Sequence, residues 1–242
     1  MRRIRFRTPN GAIRTGHLNG EQISFGQATY HVDEVNVLAP SEPTKIVCQA
    51  GGYQEHRDEA ERDLPDRPDL FLKGPNAVAG HGDTIPVPED RQIDYEAEFA
   101  VVIDTQCRNV PAEEAMDVVQ GFTCANDLSN RDDQAVEQNW VRGKAFDHSL
   151  PVGPVVATPD EVPPDATLEL RINGEVKQRA TRDMLLFTVS ELIQEVTVLM
   201  TLEPGDLIVT GTPEGPGPLA DGDQVEIKFE GVGTLEHTVA TE

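Results

Sequence analysis

Twelve residues, IDYEAEFAVVID at 93–104, constrain the fold of this chain more tightly than any other stretch. The segment reads as the clearest β-strand in the sequence, with polar turn residues at both ends. Residues two apart on a strand point to the same face. Glu96 and Glu98 therefore share a face with Ala100 and Val102, while Phe99, Val101 and Ile103 occupy the other. Two carboxylates beside a buried strand repel each other and resist loss of water, and a divalent cation removes both problems at once. The same spacing also fits an exposed strand end with two solvated glutamates. In a chain with 43 acidic residues such ExE patterns are common, so spacing alone leaves both readings open.

Strand-like segments recur on either side. IRFRT, GAIRTGHLNG and EQISFGQATYHV alternate around Gly and Asn, which predicts a small N-terminal β unit over residues 1–42. The prolines of LAPSEPTKIV mark the exit from it, and a larger domain is expected over 43–242. There KIVCQAG reads as a buried strand, FLKG as a short extended piece, and DLIVTGTP, DQVEIKFEGVG and TLEHTVAT as late strands. Helical character is expected in GYQEHRDEAERD, in PAEEAMDVVQGF behind Pro111, and in TVSELIQEVTVLMTL behind a cap at Thr188 or Ser190. The predicted class is mostly β with a few helices, an α+β fold, without internal repeats.

Composition limits what such a fold can do. The 242 residues suffice for one sizeable domain with a real core. No run reaches the roughly 18 apolar residues of a membrane span, and no apolar run of signal-peptide length follows the basic start, so a cytoplasmic protein is expected. Cys48, Cys107 and Cys124 are odd in number and widely spaced, which predicts buried free thiols. The net charge of −23 disfavours nucleic acid and anionic membranes as partners. That charge is dispersed, and lysine occurs only at 45, 73, 144, 177 and 228, a pattern resembling halophilic proteins.

Several further residues bear on chemistry. Asp127, in GFTCANDLSNRD, follows a β-type run and would complete a trio with Glu96 and Glu98. Three carboxylates and several waters suit magnesium, and the lack of His or Cys at these positions argues against zinc. His56 and Glu59 in YQEHRDEAE lie three apart, so on a helix the carboxylate could orient the imidazole as a general base. A surface helix dotted with charge would look the same. Lys73 in FLKGP and Lys144 in RGKAFD stand in apolar or Gly-rich surroundings, and the turn VTGTPEG offers backbone N–H groups to an anion.

Taken in order, KIVCQAGGYQEHRDEA, PDLFLKGP, DYEAEFAVVI, GFTCANDLSNRDDQ, WVRGKAFDHSLPVGP, RINGEVKQ, MTLEPGDLIVTGTPEG and GDQVEIKFEGVGTL resemble the fumarylacetoacetate hydrolase family over about residue 43 to the C-terminus. The resemblance implies a mixed β-roll catalytic domain, usually a homodimer, with one magnesium or manganese ion per subunit. By motif it assigns the metal to Glu96, Glu98 and Asp127 and the catalytic pair to His56 and Glu59. It sets Lys144, Arg131 and Gln134 near metal and substrate, matches Lys73 to the lysine of the FLKP motif, and gives Thr210, Gly211 and Thr212 to the substrate carboxylate. Gly52 stands where relatives often carry Asn, and Gly74 where they often carry Pro.

The chemistry so implied acts on a small 2-oxo acid or dicarboxylate. A cation beside the 2-oxo group stabilises the enolate that forms when a bond to the neighbouring carbon breaks. The intact HxxE points to C–C bond hydrolysis of an acylpyruvate-type substrate. The same enolate serves a 5-carboxymethyl-2-hydroxymuconate-type isomerase or an oxaloacetate-type decarboxylase, and a metal-stabilised binding protein without catalysis is the non-enzyme alternative.

Overall fold

The computed structural model describes residues 1–54 and 65–242. Four antiparallel strands open the chain: β1 (Arg2–Arg7), β2 (Ile13–Asn19), β3 (Gln22–Phe25) and β4 (Ala28–His31). The short β5 (Asn36–Val37) pairs with β1. Then β6 (Ile46–Ala50), buried along its whole length, pairs antiparallel with β7 (Asp69–Lys73). The short β8 (Val78–Ala79), β9 (Thr84–Val87) and β10 (Ile93–Tyr95) lead into β11 (Ala97–Ile103), the strand expected from the sequence. The chain continues through β12 (Val119–Asn126), β13 (Ser129–Asn130), β14 (Leu150–Ala157), β15 (Thr167–Ile172) and β16 (Glu175–Thr181). It closes with β17 (Leu207–Val209), β18 (Gly217–Pro218), β19 (Gln224–Phe229) and β20 (Gly233–Thr241). The architecture is mostly β with a few short helices, as the sequence predicts.

Among the described residues the largest sheet runs β4-β3-β2-β1-β14-β12-β11-β17-β6-β7, with β5 and β8 attached to its flanks. Strand β17 pairs parallel with β6, and the other pairs along that path are antiparallel. The N-terminal strands join this sheet through β1, where Arg2 and Arg3 face Ala157 and Val156 of β14. A second sheet, β16-β15-β19-β20-β9, packs against the first, β20 on β14 and β19 on β12. A small one, β13-β10-β18, closes one end of the region where the acidic residues gather.

Strand β11 owes its central place to having two apolar faces. Phe99, Val101 and Ile103 enter the larger core, where the Phe99 and Phe229 rings meet at 4.4 Å between centroids. Ala100 and Val102 enter a smaller core with Ile46, Cys48, Leu150 and Val209. A strand buried on both faces cannot slip by one residue without exchanging its whole side-chain set, so its register is strongly fixed. The carboxylates at its start inherit that rigidity.

Two predicted helices differ in outcome. Val189–Leu199 is an α-helix that buries Val189, Leu192, Ile193 and Val196, and Thr188 caps it. The Thr188 side chain accepts from Glu191 N while Glu191 reaches back to Thr188, a reciprocal capping box. The segment behind Pro111 forms instead a 3₁₀ helix, Ala112–Val118, that yields to β12 at Val119. Tertiary pairing overrides the helical propensity there. At Gly121 a Cβ would lie 2.1 Å from Ala157 O, so β12 meets β14 at a distance only glycine permits. The helical expectation for GYQEHRDEAERD falls largely on 55–64, outside the described residues.

One buried carboxylate fastens the segment that leads into β6. Asp206 Oδ1 accepts from Thr44 N (2.8 Å), Thr44 Oγ1 (2.8 Å) and Lys45 N (3.1 Å), and Oδ2 accepts from Lys45 Nζ (2.5 Å) and Glu203 N (2.8 Å). Burial pushes the Asp206 pKa up, but these hydrogen bonds, led by Lys45, outweigh it and hold the pKa below its ordinary value.

Candidate metal centre and substrate cleft

The acidic trio is assembled by strand register. Glu96 lies between β10 and β11, Glu98 is the second residue of β11, and Asp127 follows β12 directly. Because Ala97 pairs with Asn126, the end of β12 is carried to the start of β11, and Asp127 N donates to Glu96 O at 2.8 Å. Asn126 Oδ1 accepts from Glu96 N at 2.8 Å and fixes the same corner from its side chain. Glu96, Glu98 and Asp127 are all buried, and each offers an oxygen within 4.8 Å of the others. That burial removes the solvated strand end allowed by the sequence.

Cations converge on the trio from three segments. Lys144, last residue of the short helix Val141–Lys144, donates from Nζ to Glu96 Oε2 (2.8 Å), Asp127 Oδ2 (2.6 Å) and Ser129 Oγ (2.5 Å). Arg131, opening the helix Arg131–Val136, donates to Asp94 Oδ2 (2.7 Å), Glu96 Oε1 (2.6 Å) and Gln134 Oε1 (2.8 Å). Lys73, at the end of β7, directs its Nζ to Ser149 O (2.9 Å), Ser149 Oγ (2.9 Å) and Leu128 O (3.3 Å). Asp127 Oδ1 lies 2.7 Å from that Nζ and is ion-paired with it. A carboxylate oxygen has two lone-pair directions, so a single ammonium partner does not exhaust what it can offer a cation.

Burial pushes the Glu98 carboxyl well above the usual carboxylate range, and Asp127 and Glu96 add to the effect. Lys144 and the N–H of Gly211 oppose it without cancelling it. Burial lowers the Lys144 pKa, but Asp127 and Glu96 outweigh it and hold the ammonium above its ordinary value. Burial dominates at Lys73 and pulls its pKa down despite Asp127. Loss of water, more than the neighbouring carboxylates, is thus what makes the charged form of Glu98 costly here. An all-oxygen set of three buried carboxylates whose oxygens lie within 4.8 Å of one another fits a hard divalent ion such as magnesium or manganese.

Above the trio opens a cleft of about 180 Å³ walled in part by Gln49, Phe71, Arg131, Gln134, Trp140 and Thr212. The Phe71 and Trp140 rings meet edge to face at 5.6 Å, and Lys144 Nζ stands 5.2 Å from the Phe71 centroid. Gln49, Phe71 and Trp140 were not singled out by the sequence. Trp140 had a usable signal, as the one tryptophan of the chain and four residues before Lys144.

The three residues of the Thr210–Thr212 turn take different positions. The Thr210 hydroxyl donates to Phe99 O at 3.2 Å and the Gly211 N–H donates to Glu98 Oε2 at 2.5 Å, while Thr212 lines the cleft. Gly52 holds this turn in place from the end of β6. A Cβ there would come within 2.0 Å of Thr210 O, so the chain needs glycine at this position. Lys73 is buried beneath the cleft, and Cys48 lies near it as a deeply buried thiol whose pKa is raised by burial and by Asp127. All three cysteines are free and buried. His56 and Glu59 lie outside the described residues.

The family model for the C-terminal region of fumarylacetoacetate (FAA) hydrolase matches residues 45–240. The chain belongs to the fumarylacetoacetate hydrolase family. Within this family it is 37% identical to the oxaloacetate tautomerase YisK of Bacillus subtilis over 230 residues, 89% of this chain and 76% of that one. The 5-carboxymethyl-2-hydroxymuconate delta-isomerase of Mycobacterium smegmatis superposes with a TM-score of 0.92 at 35% identity, covering 100% of this chain and 99% of the other. The maleylpyruvate hydrolase of Sphingobium sp. SYK-6, solved with manganese(II) ion and pyruvate, superposes with a TM-score of 0.85 at 28% identity, covering 100% and 99%. Fumarylacetoacetate hydrolase relatives therefore include hydrolases, isomerases and tautomerases on one fold. Among the described residues no helix is long and apolar enough to cross a membrane.

Proposed function

We propose that this chain is a magnesium- or manganese-dependent enzyme that binds a small 2-oxo acid and cleaves a C–C bond of an acylpyruvate-type substrate by hydrolysis. The observation that carries the reading is the buried trio Glu96, Glu98 and Asp127 at the floor of a cleft, each offering an oxygen within 4.8 Å of the others. These three residues would hold the ion, which supplies positive charge against the enolate oxygen that develops on a 2-oxo acid.

The chain's own groups do the rest. Arg131 ties Glu96 to Asp94, and Lys144 ties Glu96 to Asp127, so the ligands are fixed before any ion arrives. Phe71 and Trp140 wall the cleft with rings that keep water from one side of a bound acid. Gln134 and Thr212 present polar groups to its carboxylate. The sequence pairs His56 with Glu59 three residues on, and an imidazole is the residue type able to take a proton from water near neutral pH. Water then adds to the second carbonyl, the bond to the neighbouring carbon breaks, and the electron pair passes to the enolate, which is protonated to the 2-oxo acid.

A second reading, enol–keto tautomerisation or double-bond isomerisation without bond cleavage, is favoured by identity. The tautomerase and isomerase relatives stand at 37% and 35%, against 28% for the hydrolase. Turnover of an acylpyruvate and of enol-oxaloacetate, each with magnesium or manganese and then with chelator, separates the two. Hydrolysis predicts acylpyruvate cleavage that chelator and Glu98→Ala abolish, and that His56→Ala abolishes as well. Tautomerisation of enol-oxaloacetate without acylpyruvate cleavage would replace the first reading by the second. Activity indifferent to chelator and to Glu98→Ala would overturn both.

A further inference from the structure

Gln178 belongs to β16 in the second sheet, away from every segment that supplies a ligand, and it is buried to 2% exposure. Its side chain nevertheless reaches both walls of the cleft. Oε1 accepts from Ala97 N at 2.9 Å, the backbone N–H between the two glutamate ligands. Nε2 donates to Thr212 Oγ1 at 2.9 Å and Pro213 O at 3.0 Å, with Glu214 O at 3.3 Å.

The orientation of this amide is forced. Ala97 offers only a donor and the two carbonyls only acceptors, so oxygen must face β11 and nitrogen must face the turn. It follows that the Thr212 hydroxyl accepts from Gln178. A hydroxyl carries one proton to donate, and among the described residues that of Thr212 has no acceptor. Thr212 lines the cleft, so the remaining direction for the proton is toward a bound molecule. Gly215 and Gly52 admit the turn to this position, each where a Cβ would press on backbone at 2.9 Å or less.

We infer that Gln178 is a positioning residue that locks the Thr212 hydroxyl as a hydrogen-bond donor into the cleft, where it selects a carboxylate-bearing substrate. The inference rests on the 2-oxo acid reading for the identity of the ligand, and on the geometry alone for the direction of the hydroxyl. Without the amide, nothing holds the Thr212 hydroxyl as an acceptor, and its proton is no longer directed into the cleft.

The test is a double-mutant cycle of Gln178→Met and Thr212→Val, read as the affinity of manganese-loaded protein for oxalate. A hydrogen bond to a charged oxygen sets the expected loss at about tenfold for either single variant. The double variant should lose no more than the weaker single, because both remove one interaction. Losses that multiply to about a hundredfold would overturn the assignment, as would a single-variant loss confined to Thr212→Val. A second readout needs no ligand: the three-bond couplings of the Thr212 methyl carbon in metal-free protein. They should report one χ1 rotamer in wild type and averaging in Gln178→Met. An unchanged rotamer overturns the positioning role. Wild-type protein that ignores oxalate but shows the rotamer change would sink the 2-oxo acid reading and keep the role of Gln178.

Discussion

Lys73 is the residue whose loss should reveal most about how the acidic cluster is tolerated. Replacing it by Met keeps most of the side-chain volume and removes the ammonium. Asp127 Oδ1 then loses the charge 2.7 Å away, and Leu128 O and Ser149 O lose their lysine donor. Ser149 Oγ keeps a partner, since it donates to Lys144 O at 2.8 Å. Removing one member of a buried ion pair costs about 3–5 kcal/mol, because the other charge stays buried without it. Urea unfolding of Lys73→Met in chelator should show a loss in that range with an unchanged slope, so that the midpoints can be compared. Manganese should then recover part of the difference. An ion at a hundred times its dissociation constant adds about 2.7 kcal/mol to a folded state that binds it, and the variant has a greater electrostatic need for it. A loss below about 1 kcal/mol in chelator, or a deficit that manganese leaves untouched, would refute the idea that Asp127 depends on neighbouring positive charge.

Other perturbations test other parts of the molecule. Asp206→Asn should cost about 2–3 kcal/mol, since charge-assisted bonds to Lys45, Thr44 and Glu203 are weakened. Because the folded Asp206 pKa is depressed, its contribution is present above the unfolded value and is lost as pH falls through the folded one. Wild type should therefore lose stability below about pH 4, and Asp206→Asn should lose less over that window; parallel acid melts would contradict the assignment. Glu98 has the opposite sign. Its raised pKa makes metal-free protein lose stability as pH rises through that value, and a melt series with and without manganese should show the loss only in chelator. Gly52→Ala should destabilise by about 1–3 kcal/mol and weaken manganese binding together, because it displaces the turn whose Gly211 N–H holds Glu98; normal metal affinity in a folded variant would uncouple the two. With a net charge of −23, the melting temperature should climb between dilute buffer and molar KCl as the Debye length shrinks from about 10 to 3 Å. Equal melting temperatures would remove the case for adaptation to high salt.

Much of the framework was legible because it is periodic. The alternation at 97–103 predicts a strand with two distinct faces, and the structure puts those faces in two different cores. Thr188 with Glu191 three residues on is a local signal, and the helix begins there. The helices Arg131–Val136 and Val141–Lys144 are too short for any period to declare itself, yet they deliver Arg131 and Lys144 to the trio. The trio itself was ambiguous from spacing, and family order singled it out; burial of all three carboxylates then removed the solvated alternative. Gln178 looks like an ordinary polar position on an alternating strand. Its reach to Ala97 and Thr212 depends on packing between sheets, which no local pattern carries.

The central claim, that Glu96, Glu98 and Asp127 form a divalent-metal site, is tested most directly by titrating metal-stripped protein with manganese and counting free ion by electron paramagnetic resonance. One equivalent should bind per chain, and magnesium should compete for it. Glu98→Gln and Asp127→Asn should each weaken binding by more than the roughly 10–100-fold that loss of a supporting partner costs. Stoichiometric binding that survives both substitutions, or no binding by the wild type, would contradict the claim.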